Sequence, residues 1–201
     1  MQTALLVFVF LMTVVVHEVS HGLAAYALGD PTAKDAGRLT LNPLRHLSLF
    51  WTVLLPASLF FATHGRFAIG MAKPVPVNFA RLRRLRLGMV AVALAGPLSN
   101  LLLAGILTPV WRYSGSDFWL YWIYLNLGLA VFNLIPIPPL DGSRVAASFL
   151  PRTWIYRLFQ FERFGFTIIA VLYFTGILFK IVMPVIGLFA NFLKLPGIEI
   201  N

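Results

Sequence analysis

The first 28 residues form an apolar run that can cross a membrane as a helix, since a spanning helix needs about 20 apolar residues. Residues 1–16 carry no charged side chain and are mainly Leu, Val, Phe and Thr. The whole chain is 59% hydrophobic and 11% charged, whereas soluble domains are about 45–50% apolar and about 25% charged. This composition predicts an all-α polytopic membrane protein. The 201 residues are interpreted as one membrane-embedded domain, with a core at about 3–150 and C-terminal helices at 164–195.

Three ionisable residues interrupt the first run in the pattern His17-Glu18-Val19-Ser20-His21. On a helix the two histidines lie on one face, where they can bind one Zn²⁺ while Glu18 acts as general base. An ionisable side chain in the middle of a spanning helix costs about 2.5–3.5 kcal/mol on insertion scales and is functional by default. The alternative is a polar cluster that only pairs helices, but that role usually falls to single Ser, Thr, Asn or Gln residues.

Four full transmembrane helices are expected, together with shorter or re-entrant segments. The expected spans lie at about residues 3–28, 87–111, 118–134 and 164–183. The apolar stretch 49–63 is only about 15 residues long and contains Pro56, so it is interpreted as re-entrant or as a short helix. A shorter apolar segment follows the last span, at residues 184–193.

Two stretches between the helices have the character of short strands. Arg38–Leu41 alternates apolar and polar residues, and Phe67–Met71 begins a stretch that its prolines keep extended. Together they predict a small β-hairpin or sheet near the active site. An exposed strand edge there could pair with another extended segment, whose free N–H and C=O groups need partners inside a membrane.

The third metal ligand is predicted to be Asp141. The chain contains no cysteine, so a metal must use histidine and carboxylate ligands, and a catalytic Zn²⁺ usually has three protein ligands. Asp141 is the one acidic residue in an apolar, proline-broken stretch, Ile135–Gly142, that can lie at membrane depth. The alternative role for Asp141 is that of an N-cap for a helix that begins near Ser143.

Helix direction and loop charge predict where this site lies. Both the histidine motif and Asp141 are near the C-terminal ends of their helices, so these helices must run in the same direction for the residues to meet. An odd number of membrane crossings must then lie between the two helices. The candidates are 49–63 and 87–111, and the short 49–63 is the one expected not to cross. Loops 29–48, 64–86 and 141–163 then share a side and hold 13 of the 16 Lys and Arg residues. By the positive-inside rule this side is the cytoplasm. The net charge of +9 is therefore assigned to orientation and anionic lipid, not to nucleic acid.

Three stretches together resemble the site-2 protease family of intramembrane zinc metalloproteases. They are His17–His21, Ala95–Asn100 and Asn133–Gly142. The similarity is greatest to small bacterial or archaeal members without a PDZ or CBS domain, which implies a prokaryotic cell membrane. The resemblance implies one Zn²⁺ on His17, His21 and Asp141 with Glu18 as base, and cleavage of a transmembrane protein or peptide. The competing class is a non-catalytic metal-binding membrane protein, such as a transporter or a pseudoprotease.

Two asparagines and one further histidine are secondary candidates. Asn100 and Asn133 can donate hydrogen bonds to the substrate backbone or to an oxyanion, or can simply pair helices. The subgroup usually has Asp-Pro-x-Gly after the position of His46, where this chain has Ser48-Leu49-Phe50-Trp51. His46 is therefore expected to be a solvated loop residue and not an extra ligand.

Overall fold

A computed structural model describes residues 2–65, 73–160 and 162–197, and the described part of the chain is helical with irregular connections. The helices are α1 (Gln2–Ala27), α2 (Thr32–Asp35), α3 (Leu55–Ala62), α4 (Leu85–Ser114), α5 (Asp117–Asn133), α6 (Asp141–Ser148), α7 (Arg152–Gln160), α8 (Glu162–Phe174) and α9 (Ile177–Phe192). Short 3₁₀ turns lie at Pro43–His46 and Phe79–Arg81, and a π-helical stretch, Leu49–Leu54, leads into α3.

Helix α4 is the centre of the fold, because it packs against α1, α5 and α6. The small residues in the middle of α4 allow this close approach. In the C-terminal half of α4, Ala104 and Leu107 form a core cluster with Ile123 and Leu127 of α5 and with Ile186 of α9. Helix α4 therefore contacts both helices that carry the candidate ligands, α1 with His17 and His21 and α6 with Asp141.

Among the described residues, two helices are long and apolar enough to cross a membrane, Leu5–Ala27 within α1 and Leu85–Ser114. A third span results if the bent pair α8 and α9 is counted as one, although these helices meet at 81°. The expectation of four full spans is therefore not confirmed for the residues described. Helix α5, the expected span at 118–134, has only 17 residues.

The expected span at 164–183 is divided between two helices in the structure. The helix stops at Phe174, and Gly176 has a φ of 73°, a left-handed conformation that glycine adopts without steric cost. Pro184, expected to begin a separate segment, lies inside α9 instead. A proline within a helix removes one backbone donor, and neighbouring groups can compensate for that loss.

The expected strand at Arg38–Leu41 is also not formed, and no strand is present in residues 2–65, 73–160 or 162–197. A side chain occupies one of the backbone groups that a sheet would pair, because Nε2 of His46 lies 2.9 Å from the carbonyl oxygen of Thr40. The guanidinium of Arg38 donates to the carbonyl of Arg45. The proposed partner strand, Phe67–Met71, lies outside the described residues. The stretch 49–63 is helical from Leu49 to Ala62, so it is short, as expected.

Candidate metal centre and active site

Three potential metal ligands meet at one point, although Asp141 is more than 100 residues away from the histidines in sequence. Oδ2 of Asp141 lies 3.1 Å from Nε2 of His17 and 3.2 Å from Nε2 of His21, and the two Nε2 atoms are 3.1 Å apart. All three residues are buried. Ligands at about 2.0–2.1 Å from a tetrahedral Zn²⁺ are separated by about 3.3 Å. The donor set and its spacing therefore fit one zinc ion with a fourth position open.

The other ring nitrogen of each histidine has its own acceptor. Nδ1 of His17 lies 2.6 Å from Oδ1 of Asn100, and Nδ1 of His21 lies 2.6 Å from the carbonyl oxygen of Val92. Both acceptors require Nδ1–H, which leaves the lone pair of each Nε2 directed at the metal position. Helix α4 thus fixes the tautomer of both histidines.

A chain of buried amides continues behind His17. Nδ2 of Asn100 donates to Oδ1 of Asn126 over 2.9 Å, and Nδ2 of Asn126 donates to the carbonyl of Trp122 over 2.9 Å. Both asparagines are completely buried. The structure therefore brings Asn100 to the back of a metal ligand, where it links α1, α4 and α5, and not to the cavity in front of the histidines.

Gly96 allows α4 to approach the two histidines this closely. A Cβ atom at Gly96 would overlap the ring of His21 and would lie 2.7 Å from Cε1 of His17. A second glycine has a similar function beside the third ligand, since a Cβ at Gly142 would lie 2.6 Å from the carbonyl oxygen of Ile135. Both glycines belong to the stretches that the sequence analysis singled out.

Asp141 is the first residue of α6 and follows an irregular turn that contains three prolines. The N-cap of α6 is Leu140, so the N-cap alternative for Asp141 does not hold. Oδ2 of Asp141 faces the histidines, while Oδ1 lies 3.6 Å from Nη1 of Arg144. The two carboxylate oxygens therefore have different partners.

Glu18 is half-buried and lies next to the metal position. Its Oε2 accepts a hydrogen bond of 2.8 Å from the backbone N–H of Val75. Val75 belongs to an irregular stretch, residues 73–78, that is also held by a bond from the N–H of Lys73 to the carbonyl of His46. The backbone thus fixes one oxygen of the predicted general base.

The far end of this stretch is held by Asp30, a buried residue just beyond α1. Oδ2 of Asp30 accepts a 2.6 Å hydrogen bond from the N–H of Asn78, and Oδ1 accepts from both the N–H and the hydroxyl of Thr32. Burial acts to raise the pKa of the Asp30 carboxyl, but these hydrogen bonds and the charge of Arg81 outweigh it and lower the pKa.

A cavity of about 510 Å³ opens in front of the ligands. Its polar residues include Glu18, Asn133, Arg144 and Glu162, and Nδ2 of Asn133 donates to the carbonyl of Leu129 over 3.0 Å. The remaining wall is mostly apolar, with contributions from Phe10, Val14, Val92, Ala93, Leu129, Phe132, Phe166 and Ile169. The cavity can therefore hold an apolar chain with its backbone beside the metal position.

His46 is not the solvated loop residue that the sequence indicated, since it is completely buried. It is outside the metal cluster, and its ring holds the loop at Thr40 while its carbonyl holds Lys73. Only the predicted solvation is wrong, since the ring bonds to Thr40 and the backbone carbonyl bonds to Lys73.

Sequence reasoning did not find three participants: Asn126, Arg144 and the N–H of Val75. Asn126 had a usable signal, because it is a polar residue in an apolar helix, seven positions before Asn133 and hence on a similar face. A backbone donor such as the N–H of Val75 leaves no trace in residue type. Only the path of the chain reveals it.

Comparisons with known proteins find zinc metalloproteases among the relatives of this chain. The model of "Peptidase family M50" matches residues 109–179. "Putative zinc metalloprotease YwhC" of Bacillus subtilis is 38% identical over 196 residues, which cover 90% of this chain and 85% of that protein. "Putative zinc metalloprotease Rip2" of Mycolicibacterium smegmatis is 31% identical over 173 residues, or 83% of this chain and 65% of the relative. No solved structure matches the chain significantly.

Proposed function

Since this chain belongs to peptidase family M50, the site-2 proteases, and is a zinc metalloprotease of the membrane, we propose that His17, His21 and Asp141 hold its zinc and that Glu18 is the general base. The convergence of the three ligand atoms within 3.2 Å of one another supports this assignment. The reaction is hydrolysis of a peptide bond within or near a transmembrane segment of another protein.

Zn²⁺, when bound, supplies a water molecule activated for attack and a Lewis acid for the scissile carbonyl. Glu18 takes a proton from the attacking water and returns it to the leaving nitrogen. The bond from Val75 to Oε2 leaves Oε1 as the atom that we assign to this transfer. Asn100 and Val92 hold the imidazole rings in place through their Nδ1 atoms, so that neither ring has to turn during the reaction.

The substrate is proposed to be an apolar, membrane-embedded peptide. The cavity wall contains Phe10 and Val14 from the expected membrane span of α1 and Phe132 from α5. Asn133 is the polar side chain that we assign to the substrate backbone, because it lines the cavity. Asn100 is not assigned to the substrate, because its two amide atoms are bonded to His17 and Asn126.

The catalytic roles are tested by comparing the membrane proteome of cells that express wild-type protein with that of cells expressing Glu18→Gln. The amide of glutamine cannot accept the water proton, so cleavage products present with wild type should be missing, while the purified variant keeps its zinc. Asp117→Asn, the same acid-to-amide change at an exposed position, is the matched control. Substantial cleavage by Glu18→Gln would show that another group is the base.

A further inference from the structure

A chain of charges connects the metal ligand Asp141 to helix α8. Nη1 of Arg144 lies 3.6 Å from Oδ1 of Asp141, and Nη2 of Arg144 lies 3.8 Å from Oε1 of Glu162, the first residue of α8. The side chain of Asp141 is only 6% exposed, and that of Glu162 is 36% exposed. This series of charged side chains therefore extends from the buried ligand to the rim of the cavity.

The same helix holds the turn before Asp141 by a second contact. Gly165 is buried, and a Cβ atom there would overlap the carbonyl oxygen of Pro138. Gly165 follows Glu162 by three residues, so the two positions lie on one face of α8. This face therefore contacts the Asp141 region both at the backbone of the turn and, through Arg144, at the carboxylate.

We propose that α8 is a positioning element for the zinc ligand Asp141, with Glu162 and Arg144 as positioning residues. This inference rests on the proposed function, because it takes Asp141 as a ligand. Glu162 holds the guanidinium of Arg144, and Arg144 holds Oδ1 of Asp141. Only Oδ2 would then be available to the metal, so the carboxylate would supply one ligand atom and would leave a position for water.

The location of Arg144 favours this role over that of an ordinary surface ion pair. Exposed pairs contribute little to stability, but Nε of Arg144 is buried and has no hydrogen-bond partner among the described residues. A guanidinium that loses water at one nitrogen needs a compensating attraction, and the two carboxylates supply it. The ring of Phe79, 5.8 Å from the guanidinium carbon, adds a cation–π contact on a third side.

The test measures how fast zinc leaves the purified full-length protein in the presence of excess chelator. Glu162→Gln and Arg144→Gln should each release zinc about ten times faster than wild type, within the range of about 10–100-fold that loss of outer partners costs metal sites. The double variant should be no faster than Arg144→Gln alone, because the two residues act in series. Arg163→Gln, at the neighbouring exposed position, should match wild type.

Thermal unfolding of the zinc-free proteins is measured in parallel, since a purely structural role would lower the melting temperature in proportion to zinc loss. Wild-type release rates in both Glu162→Gln and Arg144→Gln would overturn the proposal. So would a fall in kcat with normal zinc release, because Arg144 would then act on the substrate. Asp141→Ala distinguishes the ligand assignment from the role of α8. If this variant retains zinc, the proposed ligand set is wrong. If it loses zinc while Glu162→Gln and Arg144→Gln behave as wild type, only the inference about α8 is wrong.

Discussion

The backbone N–H of Val75 donates to Oε2 of Glu18 over 2.8 Å, across 57 residues of sequence. A hydrogen bond to a charged group contributes about 1.5–3 kcal/mol, and each 1.4 kcal/mol corresponds to about tenfold in rate. Val75→Pro removes the donor from a non-helical stretch in which prolines already flank this position. We expect it to retain zinc and to reduce cleavage by about 10–100-fold, measured as product formation from a transmembrane substrate.

Val75→Ala is the control for this prediction, because it shortens the side chain and keeps the N–H. Equal cleavage by the proline and alanine variants would mean that the amide does not orient Glu18. Faster cleavage by Val75→Pro would mean that the bond restrains the base instead.

Asn126 should influence zinc binding although it touches neither the metal position nor a ligand. Its Oδ1 accepts from Asn100, which in turn holds Nδ1 of His17, so Asn126→Ala leaves a buried amide donor unpaired. We expect zinc affinity to fall about tenfold, and further for Asn100→Ala. Competition with a fluorescent chelator measures both values. Asn191→Ala, at an exposed site, is the control and should not change the affinity. An unchanged affinity in Asn126→Ala would show that the bond from Asn100 to Asn126 does not contribute to zinc binding.

Acid stability should depend on Asp30, whose pKa is lower in the folded protein than its ordinary value. A group of this kind stabilises the fold fully above its unfolded pKa of about 3.9, and the contribution is lost as the pH falls toward the lower folded value. The difference in melting temperature between wild type and Asp30→Asn should thus be constant near neutral pH and shrink below about pH 4. A difference that stays constant down to about pH 2 would show that the charge of Asp30 is not what holds residues 73–78.

The side of the membrane that contains the site is tested with introduced cysteines, since the chain has none. Ala80 and Ser116 are both exposed and flank the two ends of α4, so the expected topology puts them on opposite sides of the membrane. Ser116→Cys should react with an impermeant thiol reagent in intact cells, and Ala80→Cys should react only after the cells are opened. The reverse pattern would place the metal ligands toward the outside.

The metal site could be predicted from the sequence because its chemistry is carried by residue type. His17 and His21 reveal themselves by helical spacing, and Asp141 by the prolines that make its surroundings non-helical. The break at Gly176 was missed because hydropathy does not distinguish one straight helix from two joined at 81°. The strand at Arg38–Leu41 failed because alternation does not show that the buried ring of His46 takes the carbonyl of Thr40.

Gly96 gives α4 a bare backbone surface where it faces the two histidine rings. A single methyl group at this position would compete for the space that the imidazoles occupy, although alanine brings neither a ligand nor a charge. Metal binding by this chain therefore depends on the small size of the residue at position 96 as well as on the ligands. One added carbon atom at position 96 is therefore expected to weaken zinc binding, although α4 supplies none of the three ligand side chains.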